Sequence, residues 1–455
     1  MSMNTVPERL AALRAAMQAN GVDVYLIPVG DPHSSEYLPD HYTSLTYFSG
    51  FHGENSNFVV TMTESAVWAD GRYFVQAEKE IAGTEIQLMR MGEPGVPTVE
   101  EYCANALNEG EALGLCGLTA STALVNDLKK ALEKKGASIK TLDLEDELWT
   151  EGRPALPDTP AWILPKEYAG FSPAEKLGQL RAKLSELGCT AQLVGKLDNL
   201  AWLLNLRARD LPCTPLAVAY ALVTMDACTL FIAPGRLSDA DAATLAESGV
   251  TLRGYNELID AVHALPAEEV FLVDEKATNF ALYEALTAHK TVAGADPIFA
   301  LKGIKNETEL KNIRECHIRD GVAVVRFQMD LEKALAEGKT LTADVLCEKY
   351  KALNELYYGP DMVCDEGIAL EWARIPHFFY DYYVFQYATG FSAAVAIAER
   401  ILTEGAPAVA DYKRFLSGGS STDPISLLKI AGVDMSRPES IDSALAVSYT
   451  HLTLP

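Results

Sequence analysis

Between Asp361 and Asp381 the chain gathers residue types that could hold a divalent cation: Asp361, Asp365, Glu366, Glu371, His377 and Asp381. Carboxylates and an imidazole are the oxygen and nitrogen donors such ions take. Acids three to five residues apart are also what the solvated face of a helix looks like, and that is the reading adopted for this cluster. A second candidate is the string Asp70, Gly71, Arg72, Tyr73, in which Asp-Gly makes a turn and Arg can return to pair with the Asp. A surface ion pair of that kind holds a loop rather than performing chemistry. The eight cysteines (Cys103, Cys116, Cys189, Cys213, Cys228, Cys316, Cys347 and Cys364) contain no CxxC pair and no histidine at zinc-finger spacing. They read as reduced, structural thiols, and cysteine-based metal binding would need residues brought together from distant positions.

These groups sit in a chain of 455 residues, 49% of them hydrophobic, enough to bury a sizeable core and to form about three domains. The net charge of -25 repels phosphate backbones and anionic lipid, which argues against nucleic-acid and membrane partners. The opening segment mixes Glu8, Arg9 and Arg14 into an Ala/Leu helix pattern, unlike a secretory leader, and no later run reaches ~18 apolar residues. A cytoplasmic protein is expected.

The elements that must position any site repeat once. Pro7, Glu8, Leu10, Leu13, Arg14, Ala15, Met17 and Gly21 recur as Pro173, Glu175, Leu177, Leu180, Arg181, Ala182, Leu184 and Gly188. Each copy predicts an amphipathic helix opened by proline and closed by glycine. An apolar run of strand length follows each, Val22 to Val29 and Ala191 to Val194, then an aromatic segment, Tyr47 to Phe51 or Trp202 to Leu206. Further strands are predicted at Asn57 to Met62, Ala66 to Ala69, Leu216 to Thr224, Cys228 to Ile232 and Val270 to Val273, with helices at Tyr73 to Ile81 and Asp239 to Glu247. Two similar α/β domains follow, joined by a proline-containing linker. From Ala300 the pattern turns helical: Glu307 to Ala336, then Asp361 to Ala373, Tyr380 to Leu402, Ala408 to Leu416 and Pro424 to Ala431.

Several strings resemble the three-domain Xaa-Pro aminopeptidases of the creatinase/aminopeptidase P superfamily. They are GDPHSSEY (Gly30 to Tyr37), YFSGF (Tyr47 to Phe51), WADGRYFVQA (Trp68 to Ala77), LWTEGRPALP (Leu148 to Pro157), EYAGFSPAEKL (Glu167 to Leu177), LDNLAWLLNLRARDLPCTP (Leu197 to Pro215) and the helix from Leu301 to Phe327. The resemblance, over about residues 6–335, implies creatinase-like domains that shape an active-site entrance and take part in a homodimer. Asp70, Arg72 and Tyr73 would be a structural or entrance motif there. The loop Phe51 to Asn57 departs from the small-residue turn of the relatives. The family's catalytic domain removes an N-terminal residue preceding proline, using two divalent metals (manganese or zinc) bridged by carboxylates. Asp361 and Glu371 approximate the spacing of two of its ligands, but the order and the distances to His377 do not fit, so the chain as given is expected to lack the metal site, to hold no cofactor and to be inactive.

The tail, about residues 340–447, resembles the C-terminal helices of oligoendopeptidase F in the thimet oligopeptidase family, a one-zinc peptidase, through Leu341 to Val363, Ile368 to Ala398 and Phe415 to Met435. That resemblance makes His377, Tyr380 and Tyr387 substrate-binding and oxyanion-stabilising groups facing zinc. The HExxH string such a site needs occurs nowhere in the chain. The resulting expectation is a creatinase-like domain 1 (1–148), a linker (149–160), a creatinase-like domain 2 (161–299), the first helix of a truncated pita-bread domain (300–339), oligoendopeptidase-like helices (340–447) and a non-native tail (448–455), together a chimeric reading frame. A dimerisation or peptide-binding module and a zinc-peptidase fragment are the alternative functions.

Overall fold

The computed structural model describes residues 5–212, 214–336, 342–358, 364–373, 385–419 and 421–442. They fall into two compact units, Met1–Arg314 and Glu315–Pro455.

The sequence repeat of the first unit is a structural repeat. The helix Val6–Ala19 starts in a Thr5/Glu8 capping box with proline in its first turn and buries Leu10, Leu13 and Met17. The helix Pro173–Glu186 does the same with Ser172/Glu175 and buries Leu177, Leu180 and Leu184. Gly21 and Gly188 follow the two helices at φ +61° and +68°, where a side chain would be strained.

Six strands come next in the first half: β1 (Val24–Pro28), β2 (Asn57–Thr61), β3 (Ser65–Ala69), β4 (Gln87–Arg90), β5 (Ala112–Leu115) and β6 (Ser138–Thr141). Their order is β4-β3-β2-β1-β5-β6. The second half has β7 (Trp162–Ile163), β8 (Ala191–Val194), β9 (Leu206–Arg207), β10 (Ala219–Thr224), β11 (Cys228–Ile232), β12 (Val250–Arg253), β13 (Val270–Val273) and β14 (Lys290–Ala293). Here the order is β12-β11-β10-β8-β13-β14, with β7 and β9 paired separately. In both sheets the central strand pairs antiparallel on one side (β1 with β2, β8 with β10) and parallel on the other (β1 with β5, β8 with β13). These are mixed sheets of one topology.

Each sheet is covered on both faces, so its inner strands are apolar throughout. In β1, Tyr25 and Ile27 enter one core and Val24 and Leu26 the other. In β10, Ala219, Ala221 and Val223 face one core while Tyr220 and Leu222 face the next. The two domains meet through equivalent segments. Thr122 N donates to Thr278 O and Ala123 N to Glu275 O, both at 2.9 Å; in return Phe280 N donates to Ala120 O and Ala281 N to Gly117 O, also at 2.9 Å. The reciprocity is that of an isologous contact, made here within one chain.

The predicted strands at Ala191–Val194, Cys228–Ile232 and Val270–Val273 form at those residues, whereas β4, β5, β6, β7, β9, β12 and β14 lie outside every predicted strand. The helix expected over Asp361 to Ala373 is corrected. Among the described residues there is only a 3₁₀ turn, Ile368–Ala373, which starts after Gly367, where the Asp365 carboxylate accepts from Ile368 N at 3.0 Å.

In the second unit, helices Phe385–Glu404, Ala406–Ser417 and Pro424–Ile430 share a small core with Ala393, Ile397, Ala431 and Val433 buried, while the helix Ala343–Tyr358 packs on the 3₁₀ turn Ile368–Ala373. Leu356, Phe391 and Leu416 are each about 60% exposed, at 61%, 61% and 59%. Each such side chain forgoes ~1.5–3 kcal/mol of burial. Amide exchange in residues 385–430 is therefore expected to run faster than in β1, β8 and β10, measured by mass spectrometry on the full chain. Equal protection in the two sets would refute this.

Candidate functional site

The segment Gly30–Tyr37 leaves the carboxyl end of β1 and turns back on itself. Asp31 Oδ1 accepts from His33 N at 3.0 Å and Ser35 N at 2.8 Å, an Asx-type turn with Ser34 at φ +53°. A Cβ on Gly30 would lie 2.6 Å from Thr119 O, so the chain can pass there only as glycine. The turn drives His33 into the junction between the domains. Its Nδ1 lies 2.8 Å from Gly195 O and its Nε2 2.8 Å from Tyr255 OH. A carbonyl can only accept, so Nδ1 carries the proton and Nε2 accepts from the phenol. The ring also packs against Tyr220, with centroids 4.3 Å apart. Burial pushes the imidazole pKa below its usual value, against the pull of Asp31. A neutral ring with both nitrogens engaged latches the domains together and is not placed to act as a general base.

Beside this latch lies a cavity of ≈ 280 Å³. Ser34, Ser35 and Glu36 line it from the turn after β1, Lys196 from the turn after β8 and Asp198 from the first turn of the helix Leu197–Leu203 that follows. The carboxyl ends of central strands are where open α/β sheets bind ligands. Asp198 pairs with Lys302. Ser35 Oγ and Asp31 Oδ2 are buried with no hydrogen-bond partner. With Asp198 held by Lys302, the Lys196 ammonium and the Glu36 carboxylate on this hollow suit a dipolar ligand such as a peptide segment. A second cavity of ≈ 240 Å³ shares Glu36 and Tyr37 and continues along Tyr42, His52, Gly53 and Glu54. The Glu36–Tyr37 ridge thus separates two hollows on one surface. No signal in the sequence singled out Ser35, Glu36 or Lys196, although the string Gly30 to Tyr37 that carries the turn was one of the family strings.

The Asp70 motif lies at the edge of the second hollow. Arg72 Nη2 donates to Asp70 Oδ2 at 2.7 Å and Arg72 N to Asp70 Oδ1 at 2.9 Å. The Arg72 bonds hold the Asp70 carboxyl below its usual range despite partial burial. Tyr73 OH donates to Glu54 at 3.1 Å and its ring meets Phe51 edge-on at 6.3 Å. With the Arg72 side chain 52% exposed, this is the turn-and-pair arrangement expected of a surface loop. The divergent loop is tied down as well: His52 N donates to Glu80 at 2.9 Å and Asn55 Nδ2 to Asp70 at 3.3 Å.

His377, Tyr380, Asp361 and Asp381 lie outside the described residues. Tyr387 lies on the helix Phe385–Glu404, exposed. The described acids of that cluster are engaged elsewhere: Glu366 pairs with Lys351 at 2.8 Å, and Glu371 accepts from Tyr350 OH at 3.3 Å. Among the described residues a single group of three possible metal ligands occurs, Cys116, Asp143 and Glu145. A thiol with two acids and no histidine does not fit a pair of carboxylate-bridged metals.

Residues 9–149 and residues 152–309 match two family descriptions, both "Creatinase/Prolidase N-terminal domain", and residues 309–447 match "Peptidase family M3". A probable Xaa-Pro aminopeptidase P of Sordaria macrospora is 37% identical over 359 residues, covering 76% of this chain and 58% of that protein. Aminopeptidase P2 of Arabidopsis thaliana is 33% identical over 372 residues, covering 74% and 52%. The crystal structure of the X-prolyl aminopeptidase from Caenorhabditis elegans, described as a cytosolic enzyme with a di-nuclear active site, superposes with a TM-score of 0.71 at 30% identity, covering 78% of this chain and 60% of that one. The chain spans between half and three-fifths of the length of these relatives. Among the described residues, no helix is long and apolar enough to cross a membrane.

Proposed function

We infer, from a chain whose residues 9–149 and 152–309 belong to the creatinase/prolidase N-terminal family as two consecutive domains, that it is the entrance-forming part of an Xaa-Pro aminopeptidase and does not itself hydrolyse peptides. The observation that supports this reading is the pair of hollows around Glu36 and Tyr37, beside the carboxyl ends of the central strands. Peptides with proline at the second position are the ligands, Lys196 pairing with a carboxylate and Glu36 with an amine. Asp70, Arg72 and Tyr73 shape the rim. The protein is cytoplasmic, a candidate homodimer, and divides at 148, 160, 299, 339 and 447. From residue 340 it continues as an oligoendopeptidase-like segment that brings His377, Tyr380 and Tyr387 without the HExxH helix they would serve, and residues 448–455 are foreign to both parts. What supports the chimeric frame is that the family description changes along the chain, from the creatinase/prolidase domain over residues 152–309 to peptidase family M3 over residues 309–447, a span that contains the junction proposed at 340.

The test is incubation of the purified chain with Mn²⁺ or Zn²⁺ and an Xaa-Pro peptide. No release of the N-terminal residue above background is expected, while the same peptide should bind weakly by calorimetry and lose that binding in Lys196→Glu. Metal-dependent release would overturn the reading of inactivity; absence of binding would overturn the recognition surface.

A further inference from the structure

We propose that Cys116, Asp143 and Glu145 form a zinc-type divalent-cation site in the first domain. Sequence spacing hides this group, and the sheet assembles it. Strands β5 and β6 are parallel neighbours with Leu115 opposite Thr141, and Leu142 N donates to Leu115 O at 3.0 Å. The residues that leave the carboxyl ends of these strands, Cys116 and Asp143, therefore emerge side by side. The short helix Leu144–Leu148, capped by Asp143 accepting from Asp146 N at 2.9 Å, brings Glu145 back beneath them. The Cys116 sulfur and one carboxylate oxygen from each acid all lie within 4.8 Å of one another.

A second observation points to a ligand. Glu145 is only 2% exposed, and its Oε1 is buried without a hydrogen-bond partner. An orphaned carboxylate oxygen costs desolvation energy that a cation would offset. Burial, and then the charge of Asp143, hold the Glu145 carboxyl up at about 8, and burial followed by Glu145 and Asp143 pushes the Cys116 thiol up. One thiolate with two carboxylates is too soft a set for Mg²⁺ or Ca²⁺ and too hard for Cu⁺, and three protein ligands plus one water make the four-coordinate shell of Zn²⁺ or Co²⁺. Bound there, the ion would clip the end of β5 to the helix after β6.

The test uses the full chain, reduced and stripped with chelator, titrated with Co²⁺ alone. One equivalent is expected to raise a thiolate-to-cobalt charge-transfer band in the near ultraviolet that Zn²⁺ then displaces. Cys116→Ser should abolish the band. Asp143→Asn keeps the helix cap and Glu145→Gln mimics the protonated acid, so both should fold and yet bind Co²⁺ at least about tenfold more weakly. These two variants carry the test should Cys116→Ser fail to fold. No band in the parent chain, or a band unchanged in Asp143→Asn and Glu145→Gln, would overturn the site.

Discussion

Replacing Arg236 with methionine is expected to destabilise the first unit by about 3–5 kcal/mol, the cost of leaving a buried charge without its partner. Arg236 and Asp210 are 3% and 0% exposed in their side chains and lie 2.6 Å apart. The guanidinium also donates to Thr159 O at 2.9 Å and to Val218 O at 3.2 Å, and Asp210 accepts from Val218 N at 2.7 Å and from Thr159 Oγ1 at 2.6 Å. One ion pair thus fastens the segment entering the second domain to strands β10 and β11 and the turn after them. Without the arginine, Asp210 keeps its two short donors but loses its counter-charge, and the Thr159 and Val218 carbonyls lose donors in a dry interior. Urea denaturation followed by tryptophan fluorescence measures the loss; a change under 1 kcal/mol would contradict it. The double variant Arg236→Met, Asp210→Leu should recover much of the difference, because well-packed apolar replacements of a buried pair are often neutral or better. Arg72→Met, at the exposed Asp70 pair, should cost under about 1 kcal/mol.

The internal repeat was legible because it consists of helix starts. Capping residue, proline and a three-to-four-residue apolar stripe are local signals, and both copies fold as written. The strands read correctly, such as Cys228–Ile232, are apolar runs buried on both faces. The missed ones are two to four residues long and, apart from β5 and the separate β7–β9 pair, lie at sheet edges; β4, β6, β12 and β14 are largely solvated and carry no period. Strand β5 is buried but contains Gly114, which reads as a loop signal. The glycine is required because a Cβ there would come within 2.8 Å of Tyr25 and Val22. The candidate sites were harder still. The partners of His33 are 162 and 222 residues away in sequence, and Cys116 meets Asp143 only because β5 and β6 pair in parallel. Such neighbours are set by topology, which no window along the chain contains.

The same latch makes the first unit sensitive to acid. An unfolded histidine titrates near ~6.5, and burial holds His33 lower in the fold. As pH falls below that value the unfolded chain takes up a proton that the folded chain refuses, so the stability His33 confers is present above about pH 6.5 and is lost progressively on acidification. The groups facing the ring cannot rescue the charge simply. Tyr255 and Tyr220 come from the second domain, and Tyr42 of the first meets Tyr255, all with phenols that burial keeps neutral, while Asp31 is the one carboxylate whose field favours the imidazolium. Protonated Nε2 would have to donate where it now accepts from Tyr255, turning the phenol proton toward another buried oxygen. The limiting slope for one proton is about 1.4 kcal/mol per pH unit. Urea midpoints measured from pH 8 to pH 5 should therefore fall more steeply in the parent chain than in His33→Gln, which keeps a donor and an acceptor at the position but does not titrate. The background loss from carboxylates is common to both chains, so the difference isolates His33. Identical slopes would mean the ring is free to accept its proton in the fold, and the latch would then not be the closed, neutral contact described above.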